Sequence, residues 1–294
     1  MSNAFAAADG TVALGDIVAE PWQDPAALAG RYRGAQPWPH IVMRDFLRDD
    51  LLDRVAREFP DLAVPGADRI DFANAYERKR ASAGMAALSP SAFWLVSFLN
   101  SDIFLTYLQR LTSLEETLIS DPYLAGGGYH EIERGGHLKI HADFNKHPYL
   151  DLDRRLNLLI FLNRDWQPDW GGQLLLCGDS ADDVQVAIEP HFNTAVLFTT
   201  TSHTLHGHPD PLRCPAERRR RSLALYYFST GRPATELGSE HATLFRARRT
   251  DPWSTRLLQA AQALCPPALW PRRRKKAMGT QRRADRPENA DPDQ

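Results

Sequence analysis

Six of the ten histidines in this 294-residue chain crowd into two short stretches: His137, His141 and His147, then His203, His206 and His208. His141-Ala142-Asp143 sets an imidazole and a carboxylate two positions apart at the end of a β-type run. Residues i and i+2 of a strand project to one side, so both can reach one ion. A second imidazole from His206 completes a two-histidine, one-carboxylate set if the intervening strands carry the chain back across a barrel. That set leaves three adjacent coordination positions open, as a non-haem Fe(II) centre needs for a bidentate cosubstrate and O2. Structural zinc closes its sphere instead. Taken alone, His-x-Asp is more often a surface strand end, and rivals exist. His203 and His208 compete with His206, although Pro209 gives His208 the look of a turn residue. His137 competes with His141, and its plainer role is a strand residue on the face of Asp143, farther from the rim.

Downstream, Arg218-Arg-Arg-Arg-Ser-Leu-Ala-Leu-Tyr-Tyr-Phe reads as a strand entered through four arginines. Side chains alternate, so only one or two of the four can face a barrel interior. A buried guanidinium needs a carboxylate partner, and a dicarboxylate ligand would supply a bidentate one. The competing role is a solvent-facing basic loop.

The elements that must position these groups are short. From Gly126 onward, β-type runs cover 128–134, 138–142, 156–162, 173–177, 184–188, 194–200 and 222–229, separated by Gly, Pro, Asp and Asn punctuation. Many short strands at this spacing predict a mainly β sandwich or jelly roll. Before them, 37–43 reads as a strand and 51–59 as a helix with Asp49 or Asp50 as its N-cap. The apolar stretch 89–111 suits one or two helices, 63–89 reads as a long loop, and the first ~30 residues are weakly patterned. Residues 251–264 suit a last helix, and the Arg- and Lys-rich tail from Pro271 has a disordered composition.

Composition is that of a globular protein, with 43% hydrophobic residues and a net charge of −2. No global field recruits nucleic acid or an anionic membrane, so polyanion binding would rest on local patches, 218–221 and 272–276. Cys177, Cys214 and Cys265 are odd in number and far apart, which argues against a disulfide framework or a thiolate zinc site. With no basic-then-apolar leader and no window near eighteen apolar residues, a cytoplasmic protein is expected. Oligomeric state is not encoded legibly.

In the blocks Gly128-Tyr-His-Glu-Ile, Gly135-Gly-His-Leu-Lys-Ile-His-Ala-Asp-Phe, Arg155-Leu-Asn-Leu-Leu-Ile-Phe-Leu-Asn, Trp170-Gly-Gly-Gln-Leu, His206-Gly-His-Pro and Arg220-Arg-Ser-Leu-Ala-Leu-Tyr-Tyr, the chain resembles the prolyl 4-hydroxylase-like branch of the 2-oxoglutarate/Fe(II) dioxygenases. The likeness spans about 126–229, and several ordered blocks are more specific than any one. It implies a double-stranded β-helix (jelly roll, cupin-like) with flanking helices, and His141, Asp143 and His206 as Fe(II) ligands. It also implies 2-oxoglutarate and O2 as cosubstrates, and ascorbate as a candidate reductant. Arg220 best matches the family's 2-oxoglutarate anchor because Ser222 shares its face. Arg218 is the fallback, Arg221 should point outward, and a slip of one residue would reverse the choice. Asn157 and Tyr129 lie on strands that the family places beside the cosubstrate, where each could bond a carboxylate or be an ordinary core residue. The carboxylate at 143 favours hydroxylation over halogenation, since the superfamily's halogenases carry a small residue there.

The expected organisation is a supporting region at 1–125, the catalytic barrel at 126–232, a helical extension at 233–270 and a disordered tail at 271–294. The expected activity is oxidation of a small-molecule, amino-acid or peptidyl substrate with release of succinate and CO2. A non-catalytic jelly-roll sensor for an anionic ligand is the alternative.

Overall fold

The computed structural model describes residues 12–64, 69–233, 236 and 240–257. Twelve strands, β1 (His40–Met43), β2 (Arg69–Ala73), β3 (Glu77–Ser82), β4 (Gly128–Ile132), β5 (His137–Ala142), β6 (Asp153–Phe161), β7 (Leu174–Cys177), β8 (Val184–Ile188), β9 (Ala195–Thr199), β10 (Leu205–His208), β11 (Arg220–Ser229) and β12 (Leu244–Phe245), form one antiparallel sheet. Its order is β1-β9-β6-β11-β4-β3-β5-β10-β7-β8, with β2 on β3 and β12 on β5. The sheet folds on itself into a double-stranded β-helix. One half runs from β1 to β4 and the other from β5 to β8, and β3 joins them by pairing with both β4 and β5.

Two-residue alternation sorts the long strands into two faces. Leu156, Leu158 and Ile160 of β6, Ala195 and Leu197 of β9, and Leu223, Leu225 and Tyr227 of β11 point outward. They are covered by α1 (Pro25–Gly34), α2 (Asp49–Arg57), α3 (Pro90–Leu99) and α4 (Asp102–Thr112). The intervening residues point inward, where Phe161, Val196 and Phe198 meet Leu174, Leu176 and Ile188 of the other half. Helix starts follow local chemistry: Asp24 accepts from Ala26 and Ala27 amides before Pro25 opens α1, and Ser89 caps α3.

Several elements differ from the sequence expectations. The weakly patterned amino-terminal stretch contains α1, held by its Asp24 cap and by Leu28 and Tyr32 in the core. The expected 63–89 loop contains the β2–β3 hairpin, whose alternating charged residues hid its period. Arg48, not Asp49 or Asp50, is the N-cap of α2; the two aspartates occupy its first turn, where they favour the positive end of the helix dipole. His206 and His208 belong to a strand, β10, rather than to a loop and turn. Trp253 to Leu257 are helical, and the remainder of the expected last helix and the tail lie outside the described residues.

Candidate metal and cosubstrate site

β10 runs antiparallel to β5 with His206 directly opposite His141, and Asp143 follows the end of β5. The three ligand atoms lie within 4.8 Å of one another. Asp143 Oδ1 is 3.6 Å from His141 Nε2, and its Oδ2 is 3.4 Å from His206 Nε2. Neighbouring donors on one octahedral ion with bonds of about 2.1 Å stand about 3 Å apart, so the set is close to ligation geometry as it stands. Each imidazole is pre-aimed: His141 Nδ1 donates to the Lys139 carbonyl at 2.8 Å and His206 Nδ1 to the Thr204 carbonyl at 3.1 Å. A carbonyl can only accept, which fixes the proton on Nδ1 and leaves both Nε2 lone pairs facing Asp143. This N2O donor set fits Fe(II), and the residues present therefore fit the implied ion. Neither His137, His203 nor His208 joins the cluster.

Asp143 is held from the opposite half of the fold. Asn157 of β6 donates to its Oδ2 at 2.6 Å, and Arg154 Nη2 lies 3.2 Å from the same oxygen. Arg154 also donates twice to Asn157 Oδ1, and its guanidinium, 1% exposed, sits 3.4 Å from the Tyr226 ring centroid and 4.3 Å from that of Phe144. Burial alone would raise the Asp143 carboxyl, but Arg154, His206 and His141 outweigh it and hold the group well below the ordinary range. Burial first, and then His141, brings His206 down to about 4. His206 thus presents a neutral, ligand-ready nitrogen to an ionised carboxylate at neutral pH.

Beyond the triad the cavity continues inward between the halves, lined by Arg220, Ser222, His130, His208, Lys79 and Leu159 among others. The inward alternation of β11 selects Arg220, while Arg221 turns to the other face and bonds Glu131 at 2.9 Å. Arg218 lies 5.3 Å from the Trp170 ring centroid and does not line the cavity. Arg220 is 4% exposed, donates from Nε to the Gly172 carbonyl at 2.7 Å and has its guanidinium 4.9 Å from the Phe161 ring centroid. No carboxylate among the described residues pairs with it, and burial alone pulls its pKa down to about 9. The guanidinium stays charged at neutral pH, so this is a buried cation without an anion, which a ligand carboxylate would supply.

Two expected cosubstrate residues behave differently. Asn157 lines the cavity, but its amide is committed to Asp143 and Arg154 rather than left free for a carboxylate. Tyr129 does not reach the cavity at all. It pairs with Leu223, faces the helices, packs against Phe59 with the rings tilted and their centroids 4.4 Å apart, and shares a 2.8 Å hydrogen bond with Ser89. Its neighbour His130, opposite Ser222, takes the inward position. Residues missed from sequence include Arg154 and His130. Arg154 carried a legible signal, because it and Arg155 directly precede a run, 156–161, that is apolar but for Asn157.

The family model described as the 2OG-Fe(II) oxygenase superfamily matches residues 127–228. No curated protein sequence matches the chain. Among solved structures, the Trichoplax adhaerens prolyl hydroxylase in complex with a hypoxia inducible factor peptide is similar at 17% identity, TM-score 0.52, over 71% of this chain and 91% of that one. A Pseudomonas putida prolyl-4-hydroxylase aligns at 18% identity and TM-score 0.49 over 71% of this chain and 100% of its own. HygX from Streptomyces hygroscopicus, solved with nickel, 2-oxoglutarate and hygromycin B, aligns at 14% identity and TM-score 0.46 over 70% and 93%. With the family match spanning the strands that carry the His-Asp-His cluster, residues 127–228 match the 2OG-Fe(II) oxygenase superfamily, whose Fe(II) the donor set fits, and the chain shares the fold of the Trichoplax prolyl hydroxylase.

Proposed function

We propose that the protein hydroxylates an unactivated C–H bond of a small-molecule, amino-acid or peptidyl substrate, with His141, Asp143 and His206 holding Fe(II) and Arg220 receiving the distal carboxylate of 2-oxoglutarate. The observation that carries the proposal is the convergence of three preoriented ligands at the mouth of a cavity whose interior holds an arginine lacking a carboxylate partner. Held by His141, Asp143 and His206, Fe(II) would supply the chemistry that couples oxidation of 2-oxoglutarate by O2, giving succinate and CO2 and taking up one oxygen atom, to insertion of the other oxygen atom into the substrate C–H bond.

The chain's own contribution is positional. Arg154 and Asn157 keep Asp143 ionised and aimed, the Lys139 and Thr204 carbonyls orient the imidazoles, and Arg220 fixes the far end of the cosubstrate. Phe161, Leu159 and Leu174 keep the interior dry. Substrate would approach past Phe144, Tyr226 and Phe245, the last 5.6 Å from the His141 ring. Retention of a carboxylate at 143 supports hydroxylation over halogenation.

Anaerobic titration with Fe(II) and 2-oxoglutarate tests the ligand set through the visible charge-transfer band of the chelate, followed by succinate release when O2 is admitted. The band is expected in the wild type and lost in His141→Ala, Asp143→Ala and His206→Ala. An undiminished band in all three variants would place the metal elsewhere.

A further inference from the structure

The inner cavity carries more positive charge than one anchoring arginine explains. Lys79 reaches it from β3, where Glu77, Lys79 and Ala81 share a face; Glu77 pairs with Leu138 and Ala81 with His130, both cavity-lining. The Lys79 side chain is 14% exposed, and its Nζ lies 3.1 Å from the Glu77 carboxylate. His208 is 3% exposed, and neither of its ring nitrogens has a hydrogen-bond partner among the described residues. A neutral imidazole always carries one N–H, so His208 brings a buried donor with nothing to donate to. Arg220, Lys79 and His208 line the same cavity. Of the two carboxylates close by, Asp143 is taken up by Arg154 and Asn157, and Glu77 by Lys79.

We propose that Lys79 and His208 complete, with Arg220, the seat for the distal carboxylate of 2-oxoglutarate, so that the amino-terminal hairpin is part of the cosubstrate site. This rests on the function proposed above and adds residues to it. One carboxylate offers about four lone-pair directions, enough for Arg220, the Lys79 ammonium and the His208 N–H together. In the ligand-free arrangement Lys79 leans on Glu77, so binding requires it to share or exchange that partner. The seat thereby favours 2-oxo acids with a second carboxylate over those that end in an alkyl group.

The test measures binding without turnover. Fe(II)-loaded protein under anaerobic conditions is titrated with 2-oxoglutarate and with pyruvate, which offers the same chelating end and no distal carboxylate, using the chelate band and calorimetry. Lys79→Met should weaken 2-oxoglutarate by about tenfold or more, the worth of one charge-assisted hydrogen bond, and leave pyruvate within about twofold. Lys79→Arg should restore most of the loss. Glu77→Gln, which frees Lys79, should tighten 2-oxoglutarate severalfold, and it keeps the test informative if Lys79→Met folds poorly. A Lys79→Met variant that binds 2-oxoglutarate within twofold of wild type, or loses both ligands alike, overturns the proposal, as does a Glu77→Gln variant that binds 2-oxoglutarate more weakly. If Arg220→Met erases the preference for 2-oxoglutarate over pyruvate while Lys79→Met leaves it intact, the hairpin is dispensable and only this inference fails. If the wild type binds no 2-oxoglutarate, the underlying functional reading fails with it.

Discussion

Replacing Arg220 with Met should make the ligand-free protein more stable while removing its cosubstrate. Burial pulls the guanidinium from 12.5 down to about 9, which at about 1.4 kcal/mol per pH unit corresponds to about 5 kcal/mol of lost hydration. Against that stand the 2.7 Å bond to the Gly172 carbonyl, about 2 kcal/mol as a charge-assisted pair, and the Phe161 ring contact at 4.9 Å, about 1 kcal/mol. Methionine keeps most of the alkyl packing, so the variant gains about 2 kcal/mol, or about 3 °C in Tm for a chain of this size. Cosubstrate reverses the order. At a concentration a hundredfold above Kd, 2-oxoglutarate should protect metal-loaded wild type by about 2.7 kcal/mol and the variant by almost nothing. Urea unfolding and thermal melts of both proteins, with and without Mn(II) and 2-oxoglutarate, provide the comparison. A variant that is less stable when ligand-free and still protected by 2-oxoglutarate would refute the view of Arg220 as an unpaired cation awaiting a carboxylate.

Three further outcomes are expected. Tyr129→Phe should cost about 1 kcal/mol in urea unfolding through the lost bond to Ser89 and leave 2-oxoglutarate affinity within about twofold, because the hydroxyl lies behind the sheet; a large affinity loss would show that the face is misassigned. Gly172→Ala should weaken 2-oxoglutarate by about tenfold or more but spare metal binding, judged by calorimetry. Gly172 has φ +81°, and a Cβ there would stand 2.7 Å from Leu212 Cδ2 and 3.0 Å from Arg220 Cδ, displacing the guanidinium. His208 is held neutral in the fold well below its ordinary value by burial, Arg220 and Lys79, whereas in the unfolded chain it takes a proton near pH 6.5. Its contribution is therefore fully present above pH ~6.5 and lost as pH falls, at up to about 1.4 kcal/mol per pH unit. In His208→Leu the drop in unfolding free energy between pH 6.5 and 5 should shrink by about 2 kcal/mol, and an unchanged drop would count against a buried neutral imidazole.

The His141 and Asp143 pair was legible because its spacing is a local property. His-x-Asp needs only strand alternation, and the resemblance of the following blocks supplied His206 and, as the third of four consecutive arginines, Arg220. Register across strands was not legible. Tyr129 and His130 are adjacent, and which one enters the cavity depends on pairing with Leu223 and Ser222, partners about ninety positions away. The β2–β3 hairpin was hidden because Glu77-Arg-Lys-Arg presents charge on both faces. One face makes ion pairs with Glu131 and Glu133 through Arg80, and the other points Lys79 into the site, so neither shows the apolar alternation expected of a half-buried strand. β10 was missed for a related reason, since both inward residues of Leu205-His-Gly-His are histidines.

The strut from Asp143 to Asn157 and Arg154 crosses from one half of the β-helix to the other, whereas His141 and His206 sit together on a single half. All three ligands belong to the half that carries β5 and β10, so an ion gripping them would reach the other half only by fixing the Asp143 carboxylate against Asn157 and Arg154, and stripping it would loosen that seam. Chelation should consequently speed amide exchange along β6 and around 143–146 more than along β9, whose neighbours β1 and β6 belong to the same half. Metal content would then set how readily the mouth of the barrel breathes, and with it how easily bulky molecules enter.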